Sequence, residues 1–267
     1  VRRLIERLIP EVARQRLATF ADAFVDAHAY SIDEARRVLT AAREHGLGVR
    51  LHADQLADDG AALLAAELGA ASADHLEYAS PDGIEALARA GTCGVLLPAA
   101  TFFLMMDVKP PGRKLVDAGI PVVVATDFNP GSCPTESMTA ALWFASLTAR
   151  LSVDEAITAS TLNAAHSLGL GDRVGSLEPG KWADFIVLDR DYFEVPAAEI
   201  ERLADPTTRE RLVEGGRHGD DATSKTLINR QAVATRRFEE HDYRSVAGRE
   251  NPHQRDNEIN GLVRMII

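Results

Sequence analysis

The chain has 267 residues, 46% hydrophobic and 26% charged, an ordinary globular balance with enough length to bury a core. Its 40 Asp and Glu against 29 Lys and Arg give a net charge of -11, the wrong sign for gripping nucleic acid or an anionic membrane. Two cysteines, Cys93 and Cys133, stand in no CxxC frame, which argues against a disulfide framework and for a reducing cytoplasm.

The chain opens at Val1 inside an amphipathic stretch, VRRLIERLIPEVARQRL, with no signal-peptide pattern; the expectation is a piece of a longer protein. Residues 17–26 read as a strand. Ser31, with Glu34 three positions on, makes a capping box for a helix that Gly46 ends. Residues 48–53 read as a strand and 60–68 as a helix closed by Gly69. A strand over 71–78 follows, and Ser80-Pro81 opens the next helix. Residues 93–99 form a fourth strand, TFFLMM a loop, and Pro110-Pro111 the start of a short helix. The fifth strand, 120–127, is the most hydrophobic. Helices follow over 135–149, 152–160 and 161–168. Pro179-Gly180 marks a turn between two short strand-like runs. Beyond Asp189 the chain turns polar, and 215–255 reads as disordered.

Strand and helix alternate with the period of βα units in a parallel sheet. A doubly wound sheet and part of a (β/α)8 barrel both fit that period. Polar residues separate them. His52, His75 and Asp127 all fall at the C-terminal ends of their strands, where a barrel places its chemistry. Taken singly, His52 and His75 read as metal-facing residues or as hydrogen-bonded core histidines. Asp127 reads as a ligand or base, or as a helix cap. An aspartate straight after the buried run VVVAT is costly unless its charge is compensated, and Asn-Pro-Gly interrupts any cap. Together, two imidazoles and a carboxylate suit a divalent metal, which brings water's proton loss near neutral pH. Cys93, inside an apolar strand, reads as an inert buried thiol.

LHADQL, ADHLEYAS, LLPAATFFLMM, PPGRKLVDAGIPVVVATDFNPGSCPTESM and NAAHSLGLGDRVGSLEPGKWADFIVLD resemble the imidazolonepropionases of the amidohydrolase superfamily. The resemblance runs from Val1 to Asp189, and TDFNPGS is its most specific element. It implies an α/β fold in which these strands are the fourth to eighth of a TIM-like barrel. Residues 1–170 would form that partial barrel, 171–189 a closing segment of a small β-sandwich, and 190–267 a divergent polar tail. It implies one metal ion, zinc or iron, held by His52 and Asp127. Asp127 would also handle the proton of the attacking water, and His75 would polarise the substrate carbonyl. Gln55, Asn129, Gly131 and Ser132 would contact substrate. The implied reaction opens the cyclic amide 4-imidazolone-5-propanoate to N-formimino-L-glutamate in histidine degradation.

The chain also departs from that pattern. It contains no His-x-His pair and lacks the arginine and tyrosine expected to hold the propionate. Truncation is the simplest reading, and such a chain is expected to aggregate or to pair as a homodimer; size-exclusion chromatography tests this. Two other readings stay open: another amidohydrolase of deaminase or cyclic-amidase type, favoured by the atypical tail, and an inactive fragment.

Overall fold

The structure is a computed structural model that describes residues 1–185. The readings of 186–267, including the polar tail and most of the FIVLD run, lie outside those residues. A π-helical turn, Leu4–Leu8, leads into α1 (Ile9–Gln15). Pro10 has no N–H to return to Glu6, and the wider turn instead bonds the Ile9 N–H to the Leu4 carbonyl. Then follow β1 (Phe20–Phe24), α2 (Ile32–Glu44), β2 (Gly48–Ala53), α3 (Ala61–Glu67), β3 (Ser72–His75), α4 (Pro81–Ala90) and β4 (Cys93–Leu96). After them come α5 (Pro98–Phe103), α6 (Gly112–Asp117), β5 (Val122–Val124), α7 (Met138–Thr148), α8 (Val153–Ser160) and α9 (Leu162–Ser167).

The helix starts are those the capping residues dictate. Ser31 and Glu34 form the reciprocal box on α2, and Ser152 with Glu155 repeats it on α8. Ser80 accepts the Gly83 N–H at α4 and Ser137 the Ala140 N–H at α7, so α7 begins later than the sequence pattern implied. Four strands are shorter than read from sequence, and β2 keeps its expected bounds. TFFLMM is not a loop throughout: Pro98 starts α5, which runs to Phe103. That helix hides from periodicity because its outward residues, Phe102 and Phe103, are apolar too. Residues 171–185 form turns and coil with no strand.

All five strands pair in parallel, in the order β1-β2-β3-β4-β5. Sequential order with helical crossovers belongs to a sheet that never reverses, unlike a doubly wound one. Alternation divides each strand between two faces. One face packs Leu51, Leu96, Val122 and Val124 with Leu39, Leu64, Leu87 and Leu115 of the helices. The other carries Cys93, Val95 and Val123 on β4 and β5, packed with Phe144. On β1, β2 and β3 the positions alternating with the apolar ones are Asp22, Arg50, His52 and Asp74. Polar groups on adjacent strands, rather than more core, are what place the site there. Among the described residues no helix is long and apolar enough to cross a membrane.

Candidate metal centre

The strands end on strained backbone. Asp54 (φ 50°) follows β2, His75 (φ 79°) and Leu76 (φ 69°) close β3, and Asp127 (φ 54°) lies beyond β5. Left-handed geometry at non-glycine residues costs about 1–3 kcal/mol each and persists only where surroundings enforce it. Strict alternation would send Asp74 and His75 to opposite faces. The left-handed turn at His75 lets both approach His52.

The outcome is convergence. Ligand atoms of His52, His75 and Asp127 lie within 4.8 Å of one another, and those of Asp22, His52 and Asp74 do the same. The His52 and His75 rings are 5.3 Å apart. His52 Nδ1 is 2.9 Å from Asp22 Oδ2, which leaves Nε2 as the other ring nitrogen for a cation. His75 is 2% exposed, with its Nδ1 3.9 Å from Glu77 Oε2. Thr101 Oγ1 donates to Glu77 Oε1 at 2.7 Å, and Ser72 Oγ donates to Asp74 Oδ1 at 2.7 Å.

The loop after β5 is built around Asn129. Its Nδ2 donates to the Asp127 carbonyl at 2.8 Å and to Ser132 Oγ at 2.7 Å. Its Oδ1 accepts the N–H groups of Gly131 and Ser132, both at 2.8 Å. Ser132 Oγ in turn reaches Asp127 Oδ2 at 3.3 Å. Asp127 is thus tied into its own loop rather than capping a helix. Three of the substrate-contact candidates, Asn129, Gly131 and Ser132, sit together around it; Gln55 is buried two positions beyond β2, next to Asp54.

Electrostatics favour a cation. Burial opposes charge on His52, yet Asp22, with Asp74 and Asp127, raises its pKa to about 9. Burial pushes His75 well below the usual histidine value, and the His52 charge adds to this. Burial raises Glu77 to about 7 against the Thr101 hydrogen bond, and raises Asp127 against the pull of His52. Buried carboxylates around two imidazoles gain from a positive ion. Two buried atoms facing each other, His75 Nδ1 and Glu77 Oε2, have no hydrogen-bond partner. The donor set of imidazole and carboxylate fits zinc or iron.

Sequence reasoning missed Asp22, Asp74 and Glu77. For the first two the sequence carries half the signal, an acidic residue inside an apolar strand; that they neighbour His52 needs the register, which sets Asp74 opposite His52 and Asp22 opposite Arg50. Asp54 is a different case. Its carboxylate accepts the N–H groups of Asp59, Ala61 and Ala62 at 3.2, 2.9 and 3.0 Å, tying the β2 rim to the start of α3. Asp54→Ala should cost about 1–3 kcal/mol, because two of those donors are left buried and unpaired. Urea unfolding with an unchanged midpoint would refute this.

Residues 10–233 match the pattern described as the amidohydrolase family. The chain is 50% identical over 188 residues to the imidazolonepropionase of Solibacter usitatus, covering 70% of this chain and 45% of that protein. It is 47% identical over 189 residues to that of Geobacillus thermodenitrificans, covering 71% and 44%. The chain therefore spans about half the length of these curated relatives. Among solved structures it is similar to a zinc-bound adenosine deaminase from Xanthomonas campestris (TM-score 0.55, 24% identity, 66% of this chain and 46% of that one). An amidohydrolase from a Sargasso Sea sample gives TM-score 0.55 at 22% identity, covering 67% and 44%. These likenesses speak for the fold alone. With the family pattern covering most of its length, the chain belongs to the amidohydrolase family.

Proposed function

We propose that this chain carries the C-terminal part of the catalytic centre of an imidazolonepropionase, with β1 to β5 as the fourth to eighth strands of a (β/α)8 barrel. The observation that carries the reading is the meeting of His52, His75 and Asp127 within 4.8 Å at the strand ends. Near 50% identity to imidazolonepropionases supports the substrate, and the unreversed strand order supports the barrel.

His52 and Asp127 would hold one metal ion, zinc or iron. When bound, such an ion lowers the pKa of water toward neutrality. In the proposed reaction water adds to the ring carbonyl carbon of 4-imidazolone-5-propanoate. The C–N bond then breaks, and a proton reaches the leaving nitrogen. Asp127 would accept the proton of the water and return it. Neutral His75 would donate a hydrogen bond to the carbonyl oxygen as it gains charge. Asn129, Gly131, Ser132 and Gln55 would contact the substrate. The two buried free thiols suit a reducing compartment.

The test is turnover. Purified protein loaded with zinc or iron is assayed for loss of imidazolone absorbance, beside a panel of cyclic amides and aminopurines. Ring opening of the imidazolone alone is the expected result. Turnover of an aminopurine in its place would move the chain to the deaminase reading, and no turnover with metal bound would leave the fragment reading.

A further inference from the structure

The proposed reaction gives Asp22 no role. This carboxylate sits on β1, is 2% exposed, and has its Oδ1 buried without a hydrogen-bond partner. Its register partner across β1 and β2 is Arg50, a natural counter-ion. Arg50 is not paired with it, however, and its own Nε is buried without a hydrogen-bond partner. Its Nη2 donates to the Ser167 carbonyl at 2.7 Å and to Ser167 Oγ at 3.3 Å, and its guanidinium lies 4.9 Å from the Phe20 ring centroid. The contact that remains for Asp22 is Oδ2 to His52 Nδ1, at an ion-pair distance of 2.9 Å without hydrogen-bond alignment.

A buried carboxylate costs several kcal/mol to desolvate, and pairing with His52 offsets part of that cost. The pair also does something an apolar contact could not: it orients the ring. An imidazole has two ring nitrogens, and a carboxylate against one of them fixes which faces a cation. Phe24 packs edge-on against the same ring, with centroids 5.8 Å apart.

We propose that Asp22 is a positioning residue: by facing Nδ1 it holds the His52 ring with Nε2 turned toward the cation shared with Asp127. This rests on His52 being a metal ligand. Asp74 is also near His52, but among the described residues the carboxylate at ion-pair distance from the ring is Asp22, at 2.9 Å.

The experiment is zinc titration by chelator competition on the whole chain, with wild type, Asp22→Asn and His52→Ala. Metal-free melting of each variant and ring ¹⁵N spectra of zinc-loaded wild type accompany it. Asp22→Asn should weaken zinc binding about 10- to 100-fold, whatever the loss of its pairing with His52 does to metal-free melting. The spectra should show a His52 ring protonated at Nδ1 and metal-bound at Nε2. A purely structural Asp22 would instead lower the melting temperature and leave affinity alone, which overturns the proposal. So does wild-type affinity in Asp22→Asn when His52→Ala has lost binding. So does a zinc-bound Nδ1 in the wild-type spectrum, which needs no variant to fold. A second zinc equivalent that Asp22→Asn abolishes would make Asp22 a ligand and also overturns it. Undiminished zinc affinity in His52→Ala sinks the ligand reading underneath.

Discussion

Asp127→Asn is expected to bind zinc more than about 100-fold more weakly than wild type, because partners that merely orient a ligand are already worth about 10–100-fold. Turnover should fall further, by about 10²–10⁴ for the lost proton acceptor. The substitution is clean for physical reasons. Asparagine is nearly isosteric and tolerates the left-handed backbone that Asp127 adopts. Its side-chain carbonyl can still accept the Ser132 Oγ hydrogen bond, and the Asn129 contact to the residue-127 carbonyl is untouched. What disappears is the charge. Metal-free melting should therefore be nearly unchanged, and a variant that melts like wild type while losing zinc isolates the ligand role. Wild-type zinc affinity in Asp127→Asn would remove Asp127 from the centre.

The sequence made the scaffold legible where its signals are local. Capping boxes at Ser31 and Ser152 announce α2 and α8, and GVRLHA alternates cleanly enough to give β2 its observed bounds. The convergence of His52 and Asp127 is legible because both fall at or just beyond the C-terminal ends of their strands. What stayed hidden is three-dimensional. β3 was read three residues too long at its C-terminal end because nothing in ADHLEY announces left-handed turns at two consecutive non-glycine residues, His75 and Leu76. Those same turns bring His75 to the site. Glu77 was passed over because its partner, Thr101, is 24 residues away on the helix that had been read as a loop. Asp22 needed the register of β1 against β2 before its neighbour was known to be occupied elsewhere.

His75 poses the sharper question, since its position allows two roles. It lies within ligand distance of the other two groups, yet the resemblance gives it the substrate carbonyl rather than the metal. Burial and the charge on His52 keep its imidazole neutral at physiological pH. A neutral ring has one proton to place: a protonated Glu77 opposite Nδ1 leaves it on Nε2, a donor to developing negative charge, whereas an ionised Glu77 would draw it to Nδ1. His75→Asn separates the roles. Asparagine accepts the left-handed backbone and keeps a polar atom near the Nδ1 position, while the reach to Nε2 is lost. If His75 polarises the carbonyl, kcat should fall about 10²–10³-fold, as for loss of one oxyanion donor. Zinc affinity should stay near wild type, and KM should move little, because the lost interaction strengthens only as charge develops. A zinc affinity that falls as far as that of Asp127→Asn would instead make His75 a third ligand. The carbonyl would then need its donor from another group, and Glu77, carrying a proton over part of the physiological range at a pKa of about 7, is the neighbour with one to offer.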